Sequence, residues 1–97
     1  MQRNQVITTI QSHKEELAGR FGVRSLALFG SIARDDASAD SDIDVLVEFS
    51  RPTGYFGLVE LELFLADLLH APVDLGTLHS LKPRIRSRVE KDIVHVL

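Results

Sequence analysis

Leu26-Ala27-Leu28-Phe29-Gly30-Ser31-Ile32-Ala33-Arg34-Asp35-Asp36-Ala37-Ser38-Ala39-Asp40-Ser41-Asp42-Ile43-Asp44-Val45-Leu46-Val47-Glu48-Phe49 is the stretch on which the fold turns. Leu26 to Phe29 is a short apolar run closed by Gly30, and Ile43 to Phe49 is a second run rich in β-branched residues. The pattern predicts strand, tight turn, polar loop, strand. A connection this short cannot carry the chain to the far end of a sheet, so two neighbouring strands joined by it are antiparallel. The end of the first strand then lies beside the start of the second, and Gly30-Ser31 meets Asp42 and Asp44. Strand side chains alternate with period two, so Asp42 and Asp44 share a face. Paired carboxylates repel and shift each other's pKa unless a cation lies between them, and oxygen-only ligands favour a hard ion, Mg²⁺ or Mn²⁺.

Asp and Ser are also common turn formers, and a lone Ser-Asp-x-Asp before a strand is often only a loop end. Three features argue for a site instead. The two carboxylates share a face, a Gly-Ser turn able to offer backbone N–H groups to phosphate lies upstream, and a further Asp stands alone in the apolar run Val73-Asp74-Leu75.

Outward from that stretch, residues from about Asn4 to Phe21 predict one helix with Ile7, Ile10, Leu17 and Phe21 near one face and Gly22 as its C′ residue. His13 is expected at the surface without a role. The first strand spans Val23 to Phe29. The loop from Gly30 to Ser41 has room for one helical turn around Ile32-Ala33-Arg34, N-capped by Ser31. After the loop Arg51-Pro52-Thr53-Gly54, a helix is expected from about Gly57 to His70, with Leu58, Leu61, Leu65, Leu68 and Leu69 as its core stripe. Val59, Leu63 and Phe64 are left over, with Tyr55 and Phe56 nearby. Either a neighbouring element covers them, or they form an exposed patch for a partner or a homodimer.

Pro72 to Leu75 predicts a third strand. Strand, helix, strand is a crossover unit, which makes this strand parallel to the second and brings Asp74 to the same sheet edge as Asp42 and Asp44. Thr77 or Ser80 is expected to cap a last helix with Pro83 in its first turn and Leu81, Ile85 and Val89 as its apolar line. Lys82, Arg84, Arg86, Arg88 and Lys91 make five of the eleven Lys and Arg of the chain. They read either as a solvated face, with Arg86 and Glu90 as an i, i+4 pair, or as a contact for a triphosphate or an acidic partner. Ile93 to Val96 suits a terminal edge strand. His70, His79 and His95 have no spacing that suggests a joint metal site.

The 97 residues predict a single α/β domain with a mixed sheet, elements ordered α-β-α-β-α-β-α with a terminal edge strand. A formal net charge of −3 argues against a strong general nucleic-acid binder. The absence of cysteine removes disulfides, thiolate metal sites and thiol nucleophiles and fits a cytoplasmic protein. No apolar run approaches a membrane span, and Met1-Gln2-Arg3-Asn4-Gln5 leads into a mixed polar segment unlike a signal peptide.

Three carboxylates and a Gly-Ser turn suit two-metal chemistry on a nucleoside triphosphate, with phosphodiester hydrolysis as the less favoured use of similar carboxylates. Gly30-Ser31, ten intervening residues, then Asp42-Ile43-Asp44 resembles the signature of the polymerase-β-like nucleotidyltransferase superfamily. Phe29 to Arg34, Ser41 to Phe49, Val73-Asp74-Leu75 and Leu81-Lys82-Pro83-Arg84-Ile85 resemble its minimal nucleotidyltransferase branch, nearly over the whole chain. The resemblance implies Asp42, Asp44 and Asp74 as catalytic residues and ligands of two Mg²⁺ ions. It implies Gly30 and Ser31 as phosphate-binding residues and extends the nucleotide site to Arg34 and Ser41, with ATP as substrate. Asp35 departs from the pattern, since many relatives carry Gly after the Ala-Arg pair. The branch is often the antitoxin of a two-gene system and transfers AMP to a tyrosine of a HEPN-domain RNase. The rival expectation is a non-catalytic module that neutralises such a partner by covering it.

Overall fold

The computed structural model describes residues 2–37, 41–77 and 80–97, with the side chains of residues 85 and 88 excepted. The elements are α1 (Arg3–Ser12), α2 (Lys14–Phe21), β1 (Val23–Phe29), α3 (Gly30–Ala33), β2 (Ile43–Phe49), α4 (Tyr55–Leu69), β3 (Val73–Gly76), α5 (Pro83–Asp92) and β4 (Val94–His95). His79 lies outside the described residues, as do the side chains of Ile85 and Arg88, so the expectations for those three have no structural counterpart here.

The expected first helix is two helices. Around His13 the Ser12 hydroxyl donates to the Thr9 carbonyl at 2.7 Å and His13 Nδ1 lies 3.0 Å from the same oxygen. Side-chain groups that engage a helical carbonyl compete with the backbone ladder, and the His13 N–H turns to the carbonyl three residues back, Ile10 O, at 3.0 Å. His13 therefore has a structural role the sequence did not suggest: its ring is also edge-on to Phe64, 6.3 Å between centroids. The α2 terminus is as expected, with Gly22 in the left-handed region at φ 70°.

The sheet order is β3-β2-β1-β4. β1 and β2 pair antiparallel with Phe29 opposite Asp44, and β2 and β3 pair parallel with Asp44 opposite Asp74. The terminal strand pairs antiparallel with the outer side of β1, through Ala27–His95 and Leu28–Val94. Val23, Leu26, Leu28, Ile43, Val45, Val47 and Val73 face the main core, which α1, α2 and α4 close with Val6, Ile10, Leu17, Phe21, Leu61, Leu65 and Leu69. A register shift between Val23 and Ser25 lets Val23 and Leu26 share this face although they are three residues apart. On the opposite face Ala27, Leu46 and Val89 form a smaller core with Phe29, Leu81 and Ile93 packed against it.

Three further differences from the sequence reading have local causes. Ser31 does not cap α3; Phe29 is its N-cap residue and no side-chain cap forms. Thr77 and Ser80 do not cap α5 either, because they close a turn on each other: the Ser80 N–H donates to Thr77 Oγ1 at 3.2 Å and the Thr77 N–H to Ser80 Oγ at 3.1 Å. Lys82 is the N-cap residue, and Pro83 stands in the first turn as expected. In α4 the inward stripe is Leu61, Leu65 and Leu69 with Leu58 partly buried; Leu68 is outside the core, and Phe64 takes a place in it against Phe21 at 4.9 Å. Among the described residues no helix is long and apolar enough to cross a membrane.

Candidate functional site

β2 alternates cleanly. Ile43, Val45 and Val47 point into the main core, which leaves Asp44, Leu46 and Glu48 on the α5 side of the sheet. In β3 the same alternation buries Val73 and places Asp74 on Asp44's face. α5 covers that face at Ala27 and Leu46 but not at the start of the parallel strands. Asp44 is half-buried there, while Asp42 and Asp74 are exposed. The antiparallel turn from β1 adds Gly30, which follows Asp44's partner Phe29. Gly30 has φ 69°, and a Cβ built on it would collide with the Asp44 carboxylate. Two independent reasons therefore fix glycine here, a left-handed backbone and the close approach of a side chain.

The electrostatics of the edge are unbalanced. Burial first, then the Asp74 carboxylate, then Asp42 hold the Asp44 pKa above the ordinary carboxylate value, with Arg34 pulling weakly the other way. Among the described residues none of the three carboxylates takes part in a hydrogen bond or ion pair with a side chain. The donor chemistry fits a hard divalent cation, since every ligand offered is a carboxylate oxygen and their mutual repulsion is what such an ion would relieve. The trio is open as it stands: among the described residues no three His, Asp or Glu side chains are arranged around one ion position. Asp42 and Asp74 are exposed at this edge, so their side chains are not held in place by packing.

The other expected residues fall around this edge. Ser31 is half-buried in α3, and its carbonyl accepts from the Asp36 N–H at 3.0 Å. Ser41 is half-buried and directly precedes Asp42. Arg34 follows α3 and is engaged on two sides: Nε donates to Asp36 Oδ2 at 3.3 Å and a terminal nitrogen to Asp92 Oδ2 at 3.3 Å. Asp36 and then Asp92 raise its pKa through these hydrogen bonds and their charge. Asp36, Asp92 and Arg3 are the residues that sequence reasoning missed. Arg3 donates from its guanidinium to the Ala33 carbonyl at 2.9 Å and from its backbone N–H to Asp35 Oδ1 at 3.3 Å, so the start of α1 steadies the end of α3. Asp92 and Arg3 are remote in sequence from Arg34 and Ala33, and no local pattern signals either pairing.

The fold that positions this edge has counterparts among known proteins. The Nucleotidyltransferase domain family matches residues 10–96. The protein adenylyltransferase MntA of Thermococcus cleftensis is 40% identical over 92 residues, covering 95% of this chain and 93% of that protein. A Methanocaldococcus jannaschii protein named as a candidate protein adenylyltransferase is 39% identical over 88 residues, 90% of each chain. Among solved structures, a candidate minimal nucleotidyltransferase superimposes with a TM-score of 0.79 at 31% identity, over 97% of this chain and 95% of that one. A Shewanella oneidensis MNT antitoxin in complex with a tri-AMPylated HEPN toxin shares the fold, at a TM-score of 0.70 and 21% identity over 98% of this chain and 71% of that one. A match over nearly the full described fold, with relatives this similar, leaves one assignment: the chain belongs to the nucleotidyltransferase domain family and is a nucleotidyltransferase of its minimal branch.

Proposed function

We propose that this nucleotidyltransferase transfers AMP from ATP to a tyrosine hydroxyl of a HEPN-domain partner protein and so acts as an antitoxin. The observation that carries the reading is the crowding of Asp42, Asp44 and Asp74 at the strand edge where Gly30 packs against Asp44. Like charges kept together at the cost of raised pKa are expected where a cation and a phosphate chain are to be bound. The names of the relatives support AMP as the group moved, and the fold shared with an antitoxin bound to a HEPN toxin supports the partner.

In this reading Asp42, Asp44 and Asp74 hold Mg²⁺, two ions in the fullest form. When bound, the ions supply charge neutralisation for the triphosphate and acidify the acceptor hydroxyl. Gly30, lacking a Cβ, lets the backbone approach the phosphates, and Ser31 donates a hydrogen bond to a β- or γ-phosphate oxygen. Arg34 and Ser41 line the nucleotide. The acceptor oxygen forms its bond to the α-phosphorus as the bond to the β-phosphate bridging oxygen breaks and pyrophosphate leaves. Asp74, exposed at the edge and farthest from the turn in sequence, takes the phenolic proton. Most of the acceleration comes from holding acceptor and phosphate in line and from neutralised charge.

The experiment is intact-mass measurement of the product of the adjacent gene, tested as the HEPN-domain partner, after incubation with the chain, ATP and Mg²⁺. The expected result is a gain of one or more AMP units that disappears in Asp42→Ala/Asp44→Ala. A stable complex with no mass gain from any of the four nucleotides would replace the proposal by that of a binding module.

A further inference from the structure

Of the large apolar side chains described, those most exposed all lie on α4: Phe56 at 83%, Tyr55 at 75% and Leu63 at 64%. With half-buried Val59, which belongs to neither core cluster, they form a stripe at i, i+4, i+8 and i, i+3, i+7 spacing on the side of α4 away from Leu61, Leu65 and Leu69. The stripe runs about two turns, roughly 12 Å. Glu60, Glu62 and Asp67 flank it, and among the described residues none of them is in an ion pair. Between Pro52 and Leu81 the sequence contains no Lys or Arg. Arg20 and Arg51 line the cleft at the N-terminal end of α4 with Glu60, and Arg20 also lies over the Phe64 ring at 5.7 Å, on the core side of the stripe.

We propose that this face of α4 is the docking surface for the partner whose tyrosine is modified, and that the partner presents to it an apolar helix face rimmed with Lys and Arg; the identity of that partner rests on the function proposed above. The charge selects the occupant. A symmetric contact between two copies through α4 would set Glu60, Glu62 and Asp67 against the same three residues of the second copy with no cation between them. A second copy offering its basic α5 would make a head-to-tail contact, which does not close on itself as a dimer. A different protein with a basic rim meets neither obstacle. α4 carries the chain back to the edge where the parallel strands begin, and Leu63 is six residues before Leu69, about 9 Å along the axis. A partner seated on the stripe lies across the sheet from the face that carries Asp44 and Asp74, and its tyrosine reaches them around the strand edge at the C-terminal end of α4, on an extended segment.

The test is the dissociation constant of the HEPN-domain protein for wild-type chain, Phe56→Glu/Leu63→Glu, Glu62→Lys/Asp67→Lys, and Asp42→Ala/Asp44→Ala. The first variant is expected to bind at least about 30-fold more weakly, as loss of two central apolar anchors does, with an unchanged melting curve because both side chains are exposed. The charge reversal is expected to weaken binding several-fold and to flatten its salt dependence. Phe56→Ser repeats the test if the double variant melts early. Equal binding by wild type and the apolar variants overturns the surface and leaves the partner standing. No binding or modification by wild-type chain overturns the partner and the surface with it. A wild-type dimer that Phe56→Glu/Leu63→Glu makes monomeric, with partner affinity unchanged, overturns the choice of occupant in favour of a second copy.

Discussion

Replacing Asp44 by Asn should make the protein more stable when no divalent ion is present. Neighbouring strands run about 5 Å apart, so the carboxylates of Asp44 and its cross-strand partner Asp74 face each other at roughly 6 Å. Asp42, two residues before Asp44, adds a weaker push, its charge acting on Asp44 after that of Asp74. At an effective dielectric of about 40 to 80, Asp44 and Asp74 at that separation repel by roughly 0.7 to 1.4 kcal/mol. Arg34 returns part of this, since it draws the Asp44 pKa down while burial, Asp74 and Asp42 push it up. The net gain expected for Asp44→Asn at neutral pH is about 1 kcal/mol, a rise of roughly 4–8 °C in Tm for a domain of this size. The sign of the pH dependence follows from the raised pKa. The folded state holds the Asp44 proton more tightly than the unfolded chain, so its contribution is fully present below the ordinary carboxylate pKa and is lost as pH rises through the raised one. The advantage of the variant should accordingly shrink on acidification through the window just above the ordinary carboxylate range. Thermal melts in EDTA across that window measure it, and Mg²⁺ should then raise the Tm of the wild-type chain but not of the variant. A variant that melts at or below wild type in EDTA at neutral pH, or a difference that stays constant on acidification, would refute the reasoning.

Gly30→Ala places a methyl group against the Asp44 carboxylate at a left-handed backbone position; denaturant titration should show a loss of about 2 kcal/mol, and calorimetry a weakening of ATP binding by at least tenfold. Asp35 has φ 61°, so Asp35→Gly should leave stability within about 1 kcal/mol of wild type while Asp35→Val loses about 1–2 kcal/mol; equal melting of the two would remove the backbone argument. His70 ends α4 at φ 53°, and His70→Gly should raise stability by about 0.5–1 kcal/mol in the same titration. Leu65, with 0% of its surface exposed, should cost about 2–5 kcal/mol when cut to Ala.

What could be read from the sequence was whatever short-range geometry dictates. The brevity of the Gly30–Ser41 connection made β1 and β2 antiparallel, and the intervening α4 made β3 parallel to β2. Those two pairings alone carry Gly30, Asp44 and Asp74 to one edge. What could not be read was set by competition among groups whose outcome periodicity does not encode. The helix over the first twenty residues breaks because two side chains contend for the Thr9 carbonyl, and Thr77 and Ser80 satisfy each other instead of α5. Phe64 displaces Leu68 from the core because Phe21 is there to receive it. Asp35 stands between the two cases. Its departure from the glycine that the resemblance implies was visible, and with it a cost in backbone freedom, but not the conformation that gives the reason. The left-handed φ supplies that reason, and Asp is among the few side-chain-bearing residues that accept such a backbone readily. Its carboxylate also accepts the Arg3 N–H, and Arg3 in turn holds the Ala33 carbonyl. The substitution thus exchanges a freely adopted turn for one tethered to α1, and the turn so tethered is the one that presents Gly30 and Ser31 to the carboxylate edge.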